Sequence, residues 1–332
     1  MERQTQNQVR ATSSGGNSMK SAFVLLSAAC IWGMGFVAQR YGMDLVGPFF
    51  FAGTRTLLAA LTILIVIAVT GVAAKAKGRQ GASDVASRIS GTGTSAKFLF
   101  KGGAICGVVL FLGQGLQQVG MVYTTASKAG FLTALYIVLV PIIGIFLKKR
   151  THWNAWAGVA LAAVGLYFLS ITSEFTMLPG DIVLLVGAAL WATHILVTGH
   201  YVPTLDQQGI YRLVTVQFAV CSALSFCVSP FIDVNLVPIP LTADILSQAL
   251  PALLYSGCVS AGVGFTLQAI GQRRISPSAA GIILSLEAVF GAIGGAIILG
   301  ERLSPRELLG CALMFAAFVL AQIPVKGTRE RG

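Results

Sequence analysis

The sequence predicts an all-α integral membrane protein of ten transmembrane helices, arranged as two inverted five-helix repeats. Three observations support this fold class: few charges, ten long apolar stretches, and a second half of the chain that repeats the first. Only 11% of the 332 residues are charged and 55% are hydrophobic, so a soluble globule would expose far too much apolar surface. The composition therefore excludes soluble enzymes and nucleic-acid-binding proteins.

Each predicted span is a continuously apolar stretch of the length that a helix needs to cross about 30 Å of hydrocarbon, which is about 20 residues. Strands of a barrel would instead alternate in polarity over about ten residues. The predicted spans cover residues 21–39, 49–72, 98–118, 126–147, 154–171, 180–199, 211–230, 250–270, 279–299 and 306–323.

Local signals at the span ends agree with these boundaries. A proline near a helix start costs nothing because its missing N–H would be unpaired there. Ser304 and Glu307 have the spacing of a capping box. The prolines near predicted starts are Pro48, Pro179, Pro251 and Pro305.

The positive charges predict which side each loop faces. Alternate loops and both termini carry 18 Lys and Arg residues, whereas the opposite set carries only Arg40, Arg302 and Arg306. By the positive-inside rule the first set is cytoplasmic. It includes a polar, flexible tail over 1–20, a disordered Gly/Ser-rich loop over 73–97, and a short tail over 324–332.

The internal repeat predicts opposite orientations for the two halves. An offset of 151 residues aligns identical residues in spans 3 and 8 and in spans 4 and 9, and Trp32 in span 1 corresponds to Trp191 in span 6. Because each repeat has an odd number of spans, the second copy enters the bilayer the other way up, a construction common among secondary transporters. The repeats are predicted at 21–172 and 179–323.

Four motifs also carry a family resemblance. Ala-Cys-Ile-Trp-Gly at 29–33, Thr-Ala-Ser-Lys-Ala-Gly-Phe-Leu at 125–132, Ser-Leu-Glu-Ala-Val-Phe at 285–290 and Leu-Gly-Glu-Arg-Leu-Ser-Pro at 299–305 resemble the EamA-type permeases of the drug/metabolite transporter superfamily. The resemblance implies a ten-helix, multi-pass transporter of small organic solutes in the inner or plasma membrane.

The chain departs from that family at two places. Lys148 and Lys149 stand in the first half where the second half has the Gly-Glu pair of the family at 300–301. Ala288 stands where such permeases frequently have a proline.

The leading functional hypothesis is a secondary transporter that exports a small solute, an amino acid or related metabolite, by alternating access. A membrane-embedded enzyme acting on a lipid-linked substrate and a channel are the alternatives. The chain has no Walker A sequence and no metal-ligand spacing among its three histidines, so we expect no bound nucleotide, cofactor or metal. The expected partners are the solute, protons as a candidate coupling ion, and the bilayer, with a monomer and a homodimer both open.

Three charged residues inside predicted spans are candidate substrate-binding residues. Glu287 lies about 13 Å into the bilayer, Arg55 about 10 Å below the outer surface, and Lys128 near the outer end of span 4. A charged side chain inside a membrane costs free energy, so we interpret such residues as functional. For Arg55 and Lys128, snorkelling to the interface is the alternative. By depth, Arg55 is the better partner for Glu287.

Uncharged side chains complete the predicted site. Trp32 and Trp191 are candidate aromatic walls of a midplane cavity, and the repeat places the Tyr136 hydroxyl opposite Glu287. Gln117 and Gln268 are equivalent amides that either line the path or bridge helices. Helix packing is the alternative for the two tryptophans.

Two spans contain candidate hinges at matching depth. Pro141 removes a backbone hydrogen bond in span 4. The glycines at the same height of span 9 weaken that helix. We expect both spans to bend there, and the glycines concerned are Gly291, Gly294 and Gly295.

Overall fold

The structure is a computed structural model that describes residues 2–76, 95–123, 126–149, 151–170, 179–237, 240–298 and 303–323. Within those ranges the chain is helical and contains no strand. The helices are α1 (Glu2–Val46), α2 (Pro48–Ala76), α3 (Ala96–Val122), α4 (Ala126–Ala134), α5 (Tyr136–Phe146), α6 (Trp153–Ser170), α7 (Pro179–Tyr201), a 3₁₀ turn (Val202–Thr204), α8 (Gln207–Leu236), α9 (Ala243–Leu254), a π-helix (Tyr255–Phe265), α10 (Thr266–Gln272), α11 (Pro277–Leu284), α12 (Glu287–Ile298) and α13 (Pro305–Ala321).

This architecture confirms the all-α membrane fold class. Eight helical stretches of the described chain are long and apolar enough to cross a membrane by length and composition. The first predicted span lies in α1, whose apolar part, Met19–Gly35, is shorter, and the tenth is the 17-residue α13. The count of ten spans therefore stays a prediction.

The two ends and the long loop were predicted to be irregular. The N-terminal tail predicted over 1–20 is part of α1, which begins at Glu2, and its flexibility stays a prediction. Most of the predicted loop, 77–94, and the tail 324–332 lie outside the described residues.

Three of the four prolines begin helices as predicted, and the fourth does not. Pro48, Pro179 and Pro305 are the first residues of α2, α7 and α13. Pro251 instead lies inside α9, which begins eight residues earlier because the Thr242 hydroxyl accepts a hydrogen bond from the amide of Ile245. The capping box at Ser304 and Glu307 is confirmed.

The predicted spans 4 and 9 are both interrupted near their middles. Span 4 is divided at Leu135 into α4 and α5, and span 9 is divided at Ser285 and Leu286 into α11 and α12. At both interruptions the amide bonds a carbonyl three residues earlier, as in a 3₁₀ turn: Leu135 to Leu132 and Leu286 to Ile283. The second break occurs without the proline that the family often has at Ala288.

Helices α6 and α13 pack against each other without intervening side chains at their point of contact. A Cβ on Gly165 of α6 would lie 2.8 Å from the carbonyl oxygen of Gly310 in α13, and a Cβ on Gly310 would lie 2.6 Å from that of Gly165. Small residues at a helix crossing allow this close approach in membranes. The α6 and α13 helices therefore form one tight pair.

A remote cap joins α8 to the start of α2. The Asp233 carboxylate accepts hydrogen bonds from the amides of Phe49 and Phe50, at 3.0 and 2.7 Å, and from the Ser229 hydroxyl at 2.8 Å. The first amides of a helix have no intrahelical acceptor. Gly47 makes room, because its φ is +84° and a Cβ there would lie 2.7 Å from that of Asp233.

Candidate functional site

A cavity of about 590 Å³ of empty space lies among α1, α2, α3, α7, the π-helix, α10 and the two broken helices. Seven of the predicted site residues line it: Trp32, Arg55, Gln117, Tyr136, Trp191, Gln268 and Glu287. The structure thus brings together side chains that are up to 255 residues apart in sequence.

A tyrosine and a glutamate meet where the two broken helices restart. Tyr136 is the first residue of α5 and Glu287 the first of α12. The Tyr136 hydroxyl donates to Oε1 of Glu287 at 3.2 Å, and the two residues are 151 positions apart, which is the repeat offset. Glu287 is 7% exposed, and no described lysine or arginine pairs with it. The site therefore holds a buried carboxylate at the N-terminus of a half-helix, with one hydrogen-bond donor among the described residues.

Aromatic rings form one wall of the cavity. Phe265, the last residue of the π-helix, has its ring centroid 4.7 Å from that of Trp32 and 5.9 Å from that of Trp191. The Trp191 and Phe265 rings are stacked with an interplanar angle of 22°. The two tryptophans are thus bridged by a third ring, which the sequence did not indicate.

The two halves differ in the hydrogen bonds of these tryptophans. Trp191 Nε1 donates to Oε1 of Gln117 at 2.9 Å. The repeat equivalent would be a bond from Trp32 to Gln268, but Trp32 Nε1 instead donates to the carbonyl of Ser260 at 2.9 Å. Gln268 uses its amide nitrogen on Gln272 at 3.0 Å, and its Oε1 is buried without a partner.

Arg55 is buried on the cavity wall instead of snorkelling to the interface. It is 5% exposed, and its Nη1 donates to Oε1 of Gln39 at 2.8 Å. Within the described chain no carboxylate pairs with Arg55, so the expected Arg55–Glu287 ion pair is not formed. Both groups border the same empty space.

Three of the remaining predicted residues, Pro141, Gly291 and Gly294, are not part of the cavity wall. Pro141 lies within α5, beyond the interruption at Leu135. On α12, a Cβ on Gly291 would approach the Gly33 carbonyl at 3.4 Å, and one on Gly294 would meet only Met34, at 3.8 Å. The third glycine of the predicted hinge, at 295, is within α12. The Lys128 side chain lies outside the described part of the structure.

Seven further lining residues were missed: Gly35, Gln39, Thr133, Ile195, Ser260, Phe265 and Leu284. Helical periodicity could have identified Gln39, because it follows Trp32 by seven residues, or about two helical turns, and so lies on the same face of α1. Thr133 similarly precedes Tyr136 by three residues. The positions of Ser260 and Phe265 depend on the π-helix, for which the sequence gives no local signal.

Comparisons with known proteins agree with this architecture. The model of the EamA-like transporter family matches residues 19–171 and again residues 178–322. An uncharacterized transporter of Archaeoglobus fulgidus is 30% identical over 309 residues, covering 91% of this chain and 85% of that protein. A probable amino-acid metabolite efflux pump of Salmonella typhimurium is 24% identical over 91% of this chain and 95% of its own length.

Two further matches are more distant. The threonine/homoserine exporter of Escherichia coli is 25% identical over 66% of this chain and 72% of its own length. A crystal structure with 16% sequence identity superimposes with a TM-score of 0.65, covering 92% of this chain and 98% of the other, and so shares the fold. With the family model matching both halves of the helical architecture, the chain belongs to the EamA-like transporter family and is a multi-pass membrane transporter.

Proposed function

We propose that this protein is a secondary transporter that exports a small amino-acid-like metabolite by alternating access. The observation that carries the proposal is the buried Tyr136–Glu287 pair, which places an ionisable group on the cavity at the restart of two interrupted helices. Discontinuous helices that meet at a polar site are the usual construction of secondary transporters. The names of two relatives, an amino-acid metabolite efflux pump and a threonine/homoserine exporter, support the substrate class.

Alternating access follows from the inverted repeat. Each half contributes one broken helix to the cavity, and the breaks lie at repeat-equivalent positions, beside Tyr136 and Glu287. If the two halves exchange conformations, the same cavity opens first to one side of the membrane and then to the other. The unequal hydrogen bonds of Trp32 and Trp191 support two distinct conformations of the halves.

Glu287 is the proposed coupling group. Its carboxylate is buried and, among the described residues, has Tyr136 as its hydrogen-bond partner, so it can exchange a proton or hold a positive group of the solute. Either role needs an ionisable side chain at this position. We place the protein in the inner membrane with both termini cytoplasmic, as the 18 to 3 distribution of cations supports.

Counterflow in proteoliposomes tests the proposal. The purified chain is reconstituted with internal unlabelled amino acid, and entry of the labelled amino acid is followed at several pH values. We expect the wild type to exchange label and Glu287→Gln to fold normally but to lose proton-coupled uptake. Asp244→Asn, the same kind of change at an exposed position, is the control and keeps uptake.

Two results contradict the proposal at different levels. Absence of exchange for every amino acid with the wild type would reject the transporter of amino-acid-like solutes. Wild-type transport by Glu287→Gln with unchanged pH dependence would instead make Glu287 a structural residue.

A further inference from the structure

One end of the cavity carries hydrogen-bond donors that have no acceptor. Arg55 can only donate hydrogen bonds, so its contact with Gln39 commits the Gln39 carbonyl oxygen to Nη1. The Gln39 amide nitrogen must then face another direction, where it is buried without a partner. Nε of Arg55 is likewise buried without a partner. Two unpaired donors and a positive charge therefore belong to residues that line the cavity, with the two donor atoms themselves buried in its wall.

This arrangement has a cost that a purely structural role does not explain. A buried cation without a counter-ion and buried donors without acceptors both destabilise a folded protein. Glutamine neutralises none of the guanidinium charge. The missing partner is a group with negative charge and at least two acceptor atoms.

The other end of the cavity has the opposite character. Glu287 contributes a carboxylate, and Gln268, which also lines the cavity, has a carbonyl oxygen buried without a donor. Positions along α1 show how far apart the two ends are. Gly33 packs against the backbone of Glu287 at one end, and Gln39 accepts a hydrogen bond from Arg55 at the other. The two α1 residues are six positions apart, or about 9 Å along the helix. The cavity thus has a donor end and an acceptor end at different heights.

We propose that Arg55 and Gln39 form the subsite for the carboxylate of the transported solute. When the solute binds, the two side chains turn toward the cavity, and the Nε edge of the guanidinium and the Gln39 amide nitrogen donate to the carboxylate oxygens, a planar, charge-assisted arrangement that arginine favours. A singly charged carboxylate balances the single positive charge at this end. The proposal rests on the transport function, since it treats this cavity as the transport site.

Gln39→Glu is the most informative variant. It replaces the neutral partner of Arg55 with a carboxylate, which satisfies the guanidinium from within the protein and competes with the solute. We expect the variant to fold and to bind carboxylate solutes at least tenfold more weakly. Gln207→Glu, the same substitution at an exposed position in the first turn of α8, is the control and keeps wild-type binding.

The probes are the twenty L-amino acids and their carboxamides, which keep the ammonium group and lose the carboxylate. Thermal stabilisation of the purified chain measures binding, and counterflow measures exchange. We expect at least one amino acid to stabilise the wild type at least tenfold more effectively than its carboxamide. That preference disappears in Gln39→Glu; should this variant not fold, Gln39→Leu, which removes the amide donor, and Arg55→Gln are expected to lose it too.

The outcomes separate this subsite from the transport function. Exchange of carboxamides as effective as exchange of the acids, or acid binding by Gln39→Glu within twofold of the wild type, overturns the subsite and leaves transport intact. Absence of exchange for both acids and carboxamides overturns the subsite and the proposed function together.

Discussion

The end of α5 holds an L-amino acid in a backbone conformation that glycine normally occupies. Lys148 has a φ of +57°. Its amide donates to the carbonyl of Ile145 at 2.9 Å, and the amide of Lys149 donates to that of Gly144 at 2.8 Å. These two bonds define a Schellman motif with a left-handed residue after the helix. The repeat aligns Lys148 with Gly300, so the second half has glycine at the matching position.

Lys148→Gly should therefore stabilise the protein. A non-glycine residue in the left-handed region costs roughly 1–2 kcal/mol, part of which is offset because glycine loses more entropy on folding. We expect a gain of about 1 kcal/mol, measured as a higher unfolding temperature in detergent. Lys149→Gly, one position away and without a positive φ, should lower the unfolding temperature. Destabilisation by both substitutions would contradict this account of the turn.

The candidate site could be predicted from sequence where the repeat supplied a partner. Tyr136 was singled out because the offset pairs it with Glu287, and the tryptophans were singled out because they match each other. Gln39 and Phe265 were missed because their repeat equivalents, Thr198 and Gln114, are different residue types. Comparing the two repeats therefore identifies site residues that have a counterpart in the other half, and it overlooks those that do not.

At the level of helices, signals carried by a few adjacent residues predicted several helix starts correctly. Pro305 and the capping box position the start of α13 through local bonds alone. The π-helix has no such signal, since it is fixed by contacts with α1: the Tyr255 hydroxyl donates to the Ile31 carbonyl at 3.1 Å, and Trp32 donates to Ser260. Structure that depends on a distant partner cannot be predicted from a local pattern.

The bending of α5 and α12 stays a prediction, which Gly294→Ala can test cleanly. A Cβ at this position would meet only Met34, at an ordinary 3.8 Å, so the substitution stiffens α12 without a clash. We expect Gly294→Ala, and likewise Pro141→Ala in α5, to slow transport several-fold while leaving the dissociation constant of the solute unchanged. Counterflow rates and ligand-induced thermal shifts measure the two quantities.

The control for this experiment is a glycine that is needed for packing. A Cβ on Gly33 would lie 2.7 Å from the amide nitrogen of Gly291 and 2.8 Å from Cβ of Phe290, so Gly33→Ala should lower the unfolding temperature itself. If Gly294→Ala weakens binding in proportion to transport, or if both hinge variants transport normally, the prediction that α5 and α12 bend is wrong.

For the molecule as a whole, charge distribution predicts an orientation that labelling can test. In a variant lacking the six native cysteines, we expect an impermeant maleimide to label Asn235→Cys, at the exposed end of α8, in intact cells. Asp84→Cys, in the loop predicted to be cytoplasmic, should react only after permeabilisation. Labelling of position 84 from outside would reverse or reject the predicted topology.

The inverted repeat also predicts what the other conformation of the transporter contains. In the described conformation Trp191 bonds Gln117, while Trp32 bonds the Ser260 carbonyl and leaves Gln268 Oε1 without a donor. If the halves exchange conformations, Trp32 takes Gln268 as its acceptor and Trp191 leaves Gln117. The Gln268 oxygen, which has no donor in the described conformation, is then the acceptor for Trp32 in the opposite-facing conformation.

Leucine substitutions at the two glutamines should therefore act in opposite directions. Gln117→Leu removes an acceptor used in the described conformation, and Gln268→Leu removes one used only in the exchanged conformation. Gln268→Leu also loses the Gln268 amide bond to Gln272, and Gln272→Leu, which loses the same bond and keeps the Gln268 oxygen, is the control. One buried hydrogen bond contributes about 1 kcal/mol, which changes the ratio of the two conformations about fivefold. A cysteine at the cavity residue Thr133 reports the ratio through its rate of labelling from outside. Shifts of both variants in the same direction would show that the two tryptophan contacts do not exchange.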